Sequence, residues 1–354
     1  MNKYIILSVC ALSLLSASCG LFPEKIGGVL KTSNGGVDWQ ASNALKAGED
    51  GEQGTIVGFS ISKLAFDPNG TDTLYAGTFD GGLYKSTDGA SSWEQILGQI
   101  PIIDFAINPN DSQTIFAAGY FEERGRVLLT KDGGKSWNAV YTAATNNSAV
   151  RSVAVNPNNT QQVIIGMTQG ELIVSGDSGA TWRLANNYSD RINRIIWNNN
   201  GLYVLVKSAG LYRSTDGGSS FQLITAGLQS SGNISNLSIF GNTITSYNQL
   251  AISNTNPSLM YITTNLGLYR STDGGASWGF VSMPLRQSDL APTAVSIAPS
   301  SDNILYVSAG SNIYKTADGG NTWSISDSLT GSLVNTLLID PELPQAAYAG
   351  VYAK

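Results

Sequence analysis

The residues of this 354-residue chain with the greatest chemical potential are carboxylates and arginines. Asp80, Asp104, Glu122 and Asp190 could supply a pair of carboxyl groups flanking a glycosidic bond, about 6.5–9.5 Å apart in an inverting enzyme. Arg124, Arg151, Arg191, Arg194 and Arg286 could clamp an anionic substrate, but they follow no recognisable spacing. Histidine is absent, which excludes a His-based triad, a His general base and a His-ligated zinc site. No cofactor or metal site is expected. The two cysteines, Cys10 and Cys19, both lie in the first twenty residues, so no disulfide framework can brace the body of the chain. Charged residues make up 13% and the net charge is −6, the opposite of the clustered positive charge that nucleic acid requires.

Whatever these residues do, a repeated element must position them. One octet recurs: Ser86 to Trp93, Thr130 to Trp137, Ser175 to Trp182, Ser214 to Phe221, Ser271 to Trp278 and Thr316 to Trp323, with a worn first copy from Thr32 to Trp39. Six copies carry Asp in third place (Asp88, Asp132, Asp177, Asp216, Asp273 and Asp318), 39 to 57 residues apart, a period that marks propellers or solenoids. Asp and Ser/Thr side chains close tight turns through the local backbone, and paired glycines permit positive φ. The closing aromatics, Trp93, Trp137, Trp182, Trp278 and Trp323 among them, can pack between units. A short apolar run precedes each octet, as at Leu83-Tyr84. Further upstream stand two β-rich runs around an Asn/Asp/Pro turn, such as Leu64 to Phe66 and Leu74 to Ala76. Each unit therefore has four strands, termed A to D from the inside out, and the octet is the C–D turn.

The octet resembles the Asp-box, or BNR repeat, of sialidase-like propellers. The resemblance implies an all-β fold of four-stranded antiparallel blades and a structural role for the octet aspartates, on the face away from the ligand. The chain opens with strands C and D around Asn34 and ends with strands A and B at Thr336–Pro341 and Ala347–Gly350. The two halves make one blade, so we expect a seven-bladed β-propeller over residues 27–354, monomeric, its ring closed by joining the termini. In style the chain is similar to sortilin-type receptor domains and to the photosystem II stability and assembly factor propellers. The Arg-rich patch of the latter is not evident as a cluster in the sequence.

Aligning the units at the start of strand A gives two rings of residues expected at the mouth of the central channel. The inner positions are Lys63, Asp104, Ser152, Arg194, Gln249, Ala294 and Thr336. One residue earlier stand Ser62, Ile103, Arg151, Asn193, Asn248, Thr293 and Asn335. The loops of the same face, where function commonly resides, add Asp80, a B–C segment with Glu122, Glu123, Arg124 and Arg126, Asp190 with Arg191, and Arg286 with Asp289.

The N-terminus reads as a targeting segment: Lys3, an apolar run from Tyr4 to Leu15, then small residues ending on Cys19. It resembles a bacterial lipobox, although Ser16 stands where Leu is usual. That implies a signal peptide over 1–18, lipid on Cys19 and a tether over 19–26. The protein would be exported and held at the outer membrane or the outer face of the cytoplasmic membrane. The function this supports is a non-catalytic envelope scaffold presenting a polar face to a protein or glycan partner. The alternative is a glycoside hydrolase. Against a sialidase stands the missing Arg-Ile-Pro signature, and Arg213 and Arg270 occupy repeat positions beside the octets. A xyloglucanase-like pair of carboxylates is available, but those enzymes form their cleft between two propellers.

Overall fold

The structure, a computed structural model, describes residues 27–47, 54–98, 100–229, 243–285, 291–327 and 331–353. Burial follows strand position. In blade 1 the strand Gly70–Thr78 ends in five consecutive buried residues, whereas Glu94–Gly98 at the outer edge is largely exposed. A continuous apolar run is what a strand covered on both faces needs, and a polar edge strand resists pairing with other chains.

Seven four-stranded antiparallel sheets result. Their A strands are Ile61–Asp67, Ile102–Asn108, Val150–Val155, Ile192–Asn198, Tyr247–Ile252, Pro292–Ala298 and Val334–Ile339, for blades 1 to 7. Each A strand touches the next right round the ring, and that of blade 7 touches that of blade 1. Blade 7 is composite, as expected: Val334–Ile339 and Ala347–Val351 come from the end of the chain, Gly28–Thr32 and Gln40–Ala41 from its start. The seam is a full antiparallel ladder, with Gly28 opposite Val351 and Thr32 opposite Ala347. The core is correspondingly divided into seven apolar clusters spread around the ring.

The octets form the turns their composition implies. Ser86 Oγ donates to Asp88 Oδ1 (2.7 Å) and accepts from Ala90 N, while Asp88 takes Ser92 N at 2.9 Å and Ser92 Oγ at 2.6 Å. Asp132, Asp177, Asp216, Asp273 and Asp318 repeat the pattern. These donors hold Asp132, Asp177 and Asp273 at a pKa of about 2. Each Trp then reaches back one blade. Trp137 Nε1 donates to Ile96 O, Trp182 Nε1 to Val140 O and Trp278 Nε1 to Ile224 O, all at 2.8 Å. Gly134 shows why five of these six copies carry glycine in fifth place: its φ is 100°, and an added Cβ would lie 2.8 Å from Ile96 of the preceding blade, whereas the equivalent Ala90 takes a φ of 66°. The aspartates are thus committed to their turns, and the tryptophans to holding neighbouring blades together.

Candidate functional site

Antiparallel order puts the start of every A strand and every B–C turn at the end of the ring opposite the octets. At that end each of the seven A strands carries a register shift around its second residue, the signature of a bulge. The bulged residues are Ser62, Ile103, Arg151, Asn193, Asn248, Thr293 and Asn335. A bulge re-aims a side chain out of the ladder, and all seven line a single cavity of about 250 Å³ at the channel mouth.

How adjacent blades are joined at this level differs around the ring. From blade 4 onward the bulged residue reaches the next blade. Asn193 Nδ2 donates to Tyr247 O (2.6 Å), Asn248 Nδ2 to Pro292 O (3.1 Å), Thr293 Oγ1 to Val334 O (3.2 Å) and Asn335 Nδ2 to Ile61 O (3.1 Å). From blade 1 to blade 4 the link comes from the residue after the bulge. Lys63 Nζ donates to Asp104 Oδ1 and Phe105 O, both at 2.6 Å. Asp104 Oδ2 accepts from Ser152 Oγ (2.7 Å) and Val153 N (3.0 Å), and Ser152 Oγ accepts from Ile195 N (3.0 Å). Phe105 N fills the remaining side of the Asp104 carboxylate.

Asp104 is therefore buried and surrounded by donors. Burial alone would raise its pKa, but the Lys63 ammonium, Arg194 and the hydrogen bonds overcome this and hold it below the usual carboxylate range. Lys63 is pushed down by burial and by Arg194, and pulled up by Asp104. Among the described residues Asp104 is the single carboxylate lining the cavity, and its donors favour the charged form over an acid that could give up a proton.

Arg151, Arg191 and Arg194, without pattern in the sequence, converge here. Arg191 Nε donates to Asn193 Oδ1 at 2.8 Å. The Nε atoms of Arg151 and Arg194 are buried without a hydrogen-bond partner among the described residues, as is Ser62 Oγ. Burial and the nearby Arg191 charge lower the pKa of Arg151. On another part of the rim Phe79 and Tyr352 stack, their ring centroids 5.4 Å apart. Sequence reasoning passed over this pair. The signal was the aromatic residue closing Ala76-Gly77-Thr78-Phe79 and Ala349-Gly350-Val351-Tyr352, equivalent positions just past strand B of adjacent blades.

The other candidates are dispersed. Asp80 is exposed beside Phe79 and accepts from Ser60 N (3.2 Å); partial desolvation of its carboxyl raises its pKa. Asp190 accepts from Arg191 N and Ser208 N, both at 2.7 Å, and burial, which alone would raise its pKa, is outweighed by its hydrogen bonds, so the pKa falls. Glu122 and Glu123 occupy a two-residue hairpin turn at positive φ, so the segment is a regular ribbon and not a long loop. In it Arg126 pairs with Glu122, and Arg124 Nε donates to Asn146 Oδ1 (3.1 Å). Asp80, Asp190, Glu122, Glu123, Arg124 and Arg126 do not line the mouth cavity. Cys19, Arg286 and Asp289 lie outside the described residues.

Comparison with known proteins fits this architecture. A family model described as sortilin, neurotensin receptor 3 (Sortilin-Vps10) matches residues 81–202. A xyloglucanase from Paenibacillus sp. is 26% identical over 250 residues, which make up 70% of this chain and 18% of that enzyme. The chain thus spans less than a fifth of that relative's length. Among solved structures, the GH74 xyloglucanase from Xanthomonas campestris superposes with a TM-score of 0.66 at 17% identity, covering 83% of this chain and 51% of that one. YCF48 bound to D1 peptide superposes with a TM-score of 0.61 at 14% identity, covering 83% and 94%. The chain is a seven-bladed β-propeller, similar to the sortilin family over residues 81–202 and sharing its fold with the GH74 and YCF48 propellers.

Proposed function

We propose that this propeller is an extracellular recognition module that holds a glycan at the channel mouth without cleaving it. One observation carries the reading: Asp104, the carboxylate lining the mouth, is consumed by Lys63, Ser152 and two backbone N–H groups, which leaves a site rich in donors and without a general acid. Polar side chains on a rigid ring suit binding, and the bulges bring six polar side chains and Ile103 to one cavity. The N-terminal leader and the Cys19 motif support export and lipid anchoring. Palmitate labelling of the expressed protein, lost in Cys19→Ser, tests that part.

A second reading is a glycoside hydrolase, and kinship in sequence supports it more strongly than it supports binding, because the curated relatives are xyloglucanases. Its best carboxylates are Asp80, raised by partial desolvation in the direction a general acid needs, and Asp190, lowered by its hydrogen bonds in the direction a base needs. Incubation with xyloglucan and with fluorogenic glycosides separates the two. Retention of glycans on an array without turnover is the expected result. Turnover abolished by Asp80→Asn or Asp190→Asn would establish the hydrolase instead.

A further inference from the structure

The charge at the mouth does not balance. Arg151, Arg191 and Arg194 line one cavity, and the Asp104 carboxylate that shares it is already paired with Lys63. Two of the three guanidinium groups keep a buried Nε without a partner among the described residues, in a protein whose net charge is −6. Partial burial beside other cations is costly, and Arg151 carries that cost as a lowered pKa, which the Asp104 charge only partly offsets. An arginine cluster left in this state is a receptor for a planar anion, because the guanidinium fork matches a carboxylate with two parallel hydrogen bonds. Around the rim from the arginines, the Phe79–Tyr352 stack and Ile103 offer an apolar wall. The cavity, about 250 Å³, falls below the roughly 300–1,000 Å³ of sites for drug-sized ligands. It suits one ring at the end of a chain.

A ligand that meets all three conditions has a carboxylate fixed to a single sugar ring with an apolar face. We propose that the mouth recognises a uronate residue at the end of an acidic glycan. The carboxylate lies on Arg151 and Arg194, with Arg191 held in place by Asn193. The ring packs on the aromatic wall. This assignment rests on the reading of the mouth as a glycan site and makes it specific, since neutral sugars would leave the guanidinium groups unpaired.

Titration calorimetry of the purified protein with an oligogalacturonide and with a neutral xyloglucan oligosaccharide tests it. We expect the acidic glycan to bind about tenfold or more tightly than the neutral one, and its affinity to fall as salt is raised. Arg151→Gln and Arg194→Gln should each remove about tenfold or more of that affinity, whereas Arg183→Gln, on an exposed outer strand, should change nothing. The comparison of acidic and neutral ligands on the unmodified protein stands even if a variant fails to fold. Equal binding of both glycans, unaffected by the arginine substitutions, would overturn the uronate assignment while leaving the glycan site intact. Binding of neither would defeat both. A sulfated oligosaccharide or an acidic peptide that binds more tightly than the uronate and depends on the same arginines would also overturn the assignment.

Discussion

The two arcs of the channel mouth perform one structural task in two ways. From blade 4 round to blade 1, neutral amides and a hydroxyl on the bulged residues cap carbonyls of the next blade. From blade 1 to blade 4, the link moves one residue along the strand to Lys63, Asp104 and Ser152. The first arc uses up its bulged side chains. The second releases them, so Ser62, Ile103 and Arg151 face the cavity free of structural duty. A repeated scaffold acquires a local site in this way: the joint is rebuilt behind the surface, and the surface position becomes available for recognition.

The contrast can be broken most sharply at Asp104. Asp104→Ala strands the Lys63 ammonium and removes the partner of Ser152, and should cost about 3–5 kcal/mol in denaturant unfolding. The double variant Lys63→Met/Asp104→Leu removes both charges and should recover part of that loss. Acid should act on both arcs from the opposite face. The octet carboxylates have folded pKa values depressed to about 2 at Asp132, Asp177 and Asp273, so their contribution is present above the ordinary value of about 3.9 and lost as pH falls towards 2. The melting temperature should be flat from neutrality to about pH 5 and drop steeply below about pH 4, and it should do so in the Lys63→Met/Asp104→Leu variant as well. In the amide arc the stakes are smaller: Asn193→Ala or Asn248→Ala should cost about 1 kcal/mol each, the net worth of one hydrogen bond. Smallest of all, Arg151→Gln should leave the melting temperature unchanged or raise it, because it relieves a partly buried charge beside Arg191 whose Nε lacks a hydrogen-bond partner among the described residues. Loss of stability in Arg151→Gln comparable to Asp104→Ala would show that the mouth arginines brace the ring, and the division between the arcs would fail.

Much of the scaffold was legible in the chain because its determinants are local. An Asp turn flanked by Ser or Thr closes through hydrogen bonds four residues apart or fewer, so Asp88 and its five counterparts announce their role without reference to any other segment. The half-blades at the two ends implied their own junction, since unpaired strand edges must be covered. Alignment of the A strands also grouped the bulged residues, Arg151 and Asn193 among them, whereas Lys63, Ser152, Ala294 and Thr336 of the expected inner ring do not line the cavity.

The site was only half legible. Asp104 read as a free carboxylate, but its partners Lys63 and Ser152 lie 41 and 48 residues away and meet it only because consecutive blades turn their inner strands towards one axis. The Phe79–Tyr352 stack joins segments from the two halves of the chain across the closed seam. The sequence by itself determined the blade, its turns and the number of blades, because each depends on contacts within one repeat or on a count of repeats. Closure of the ring decided which charges at the mouth meet a partner, because electrostatic pairing at the axis depends on distances between blades that no single repeat contains.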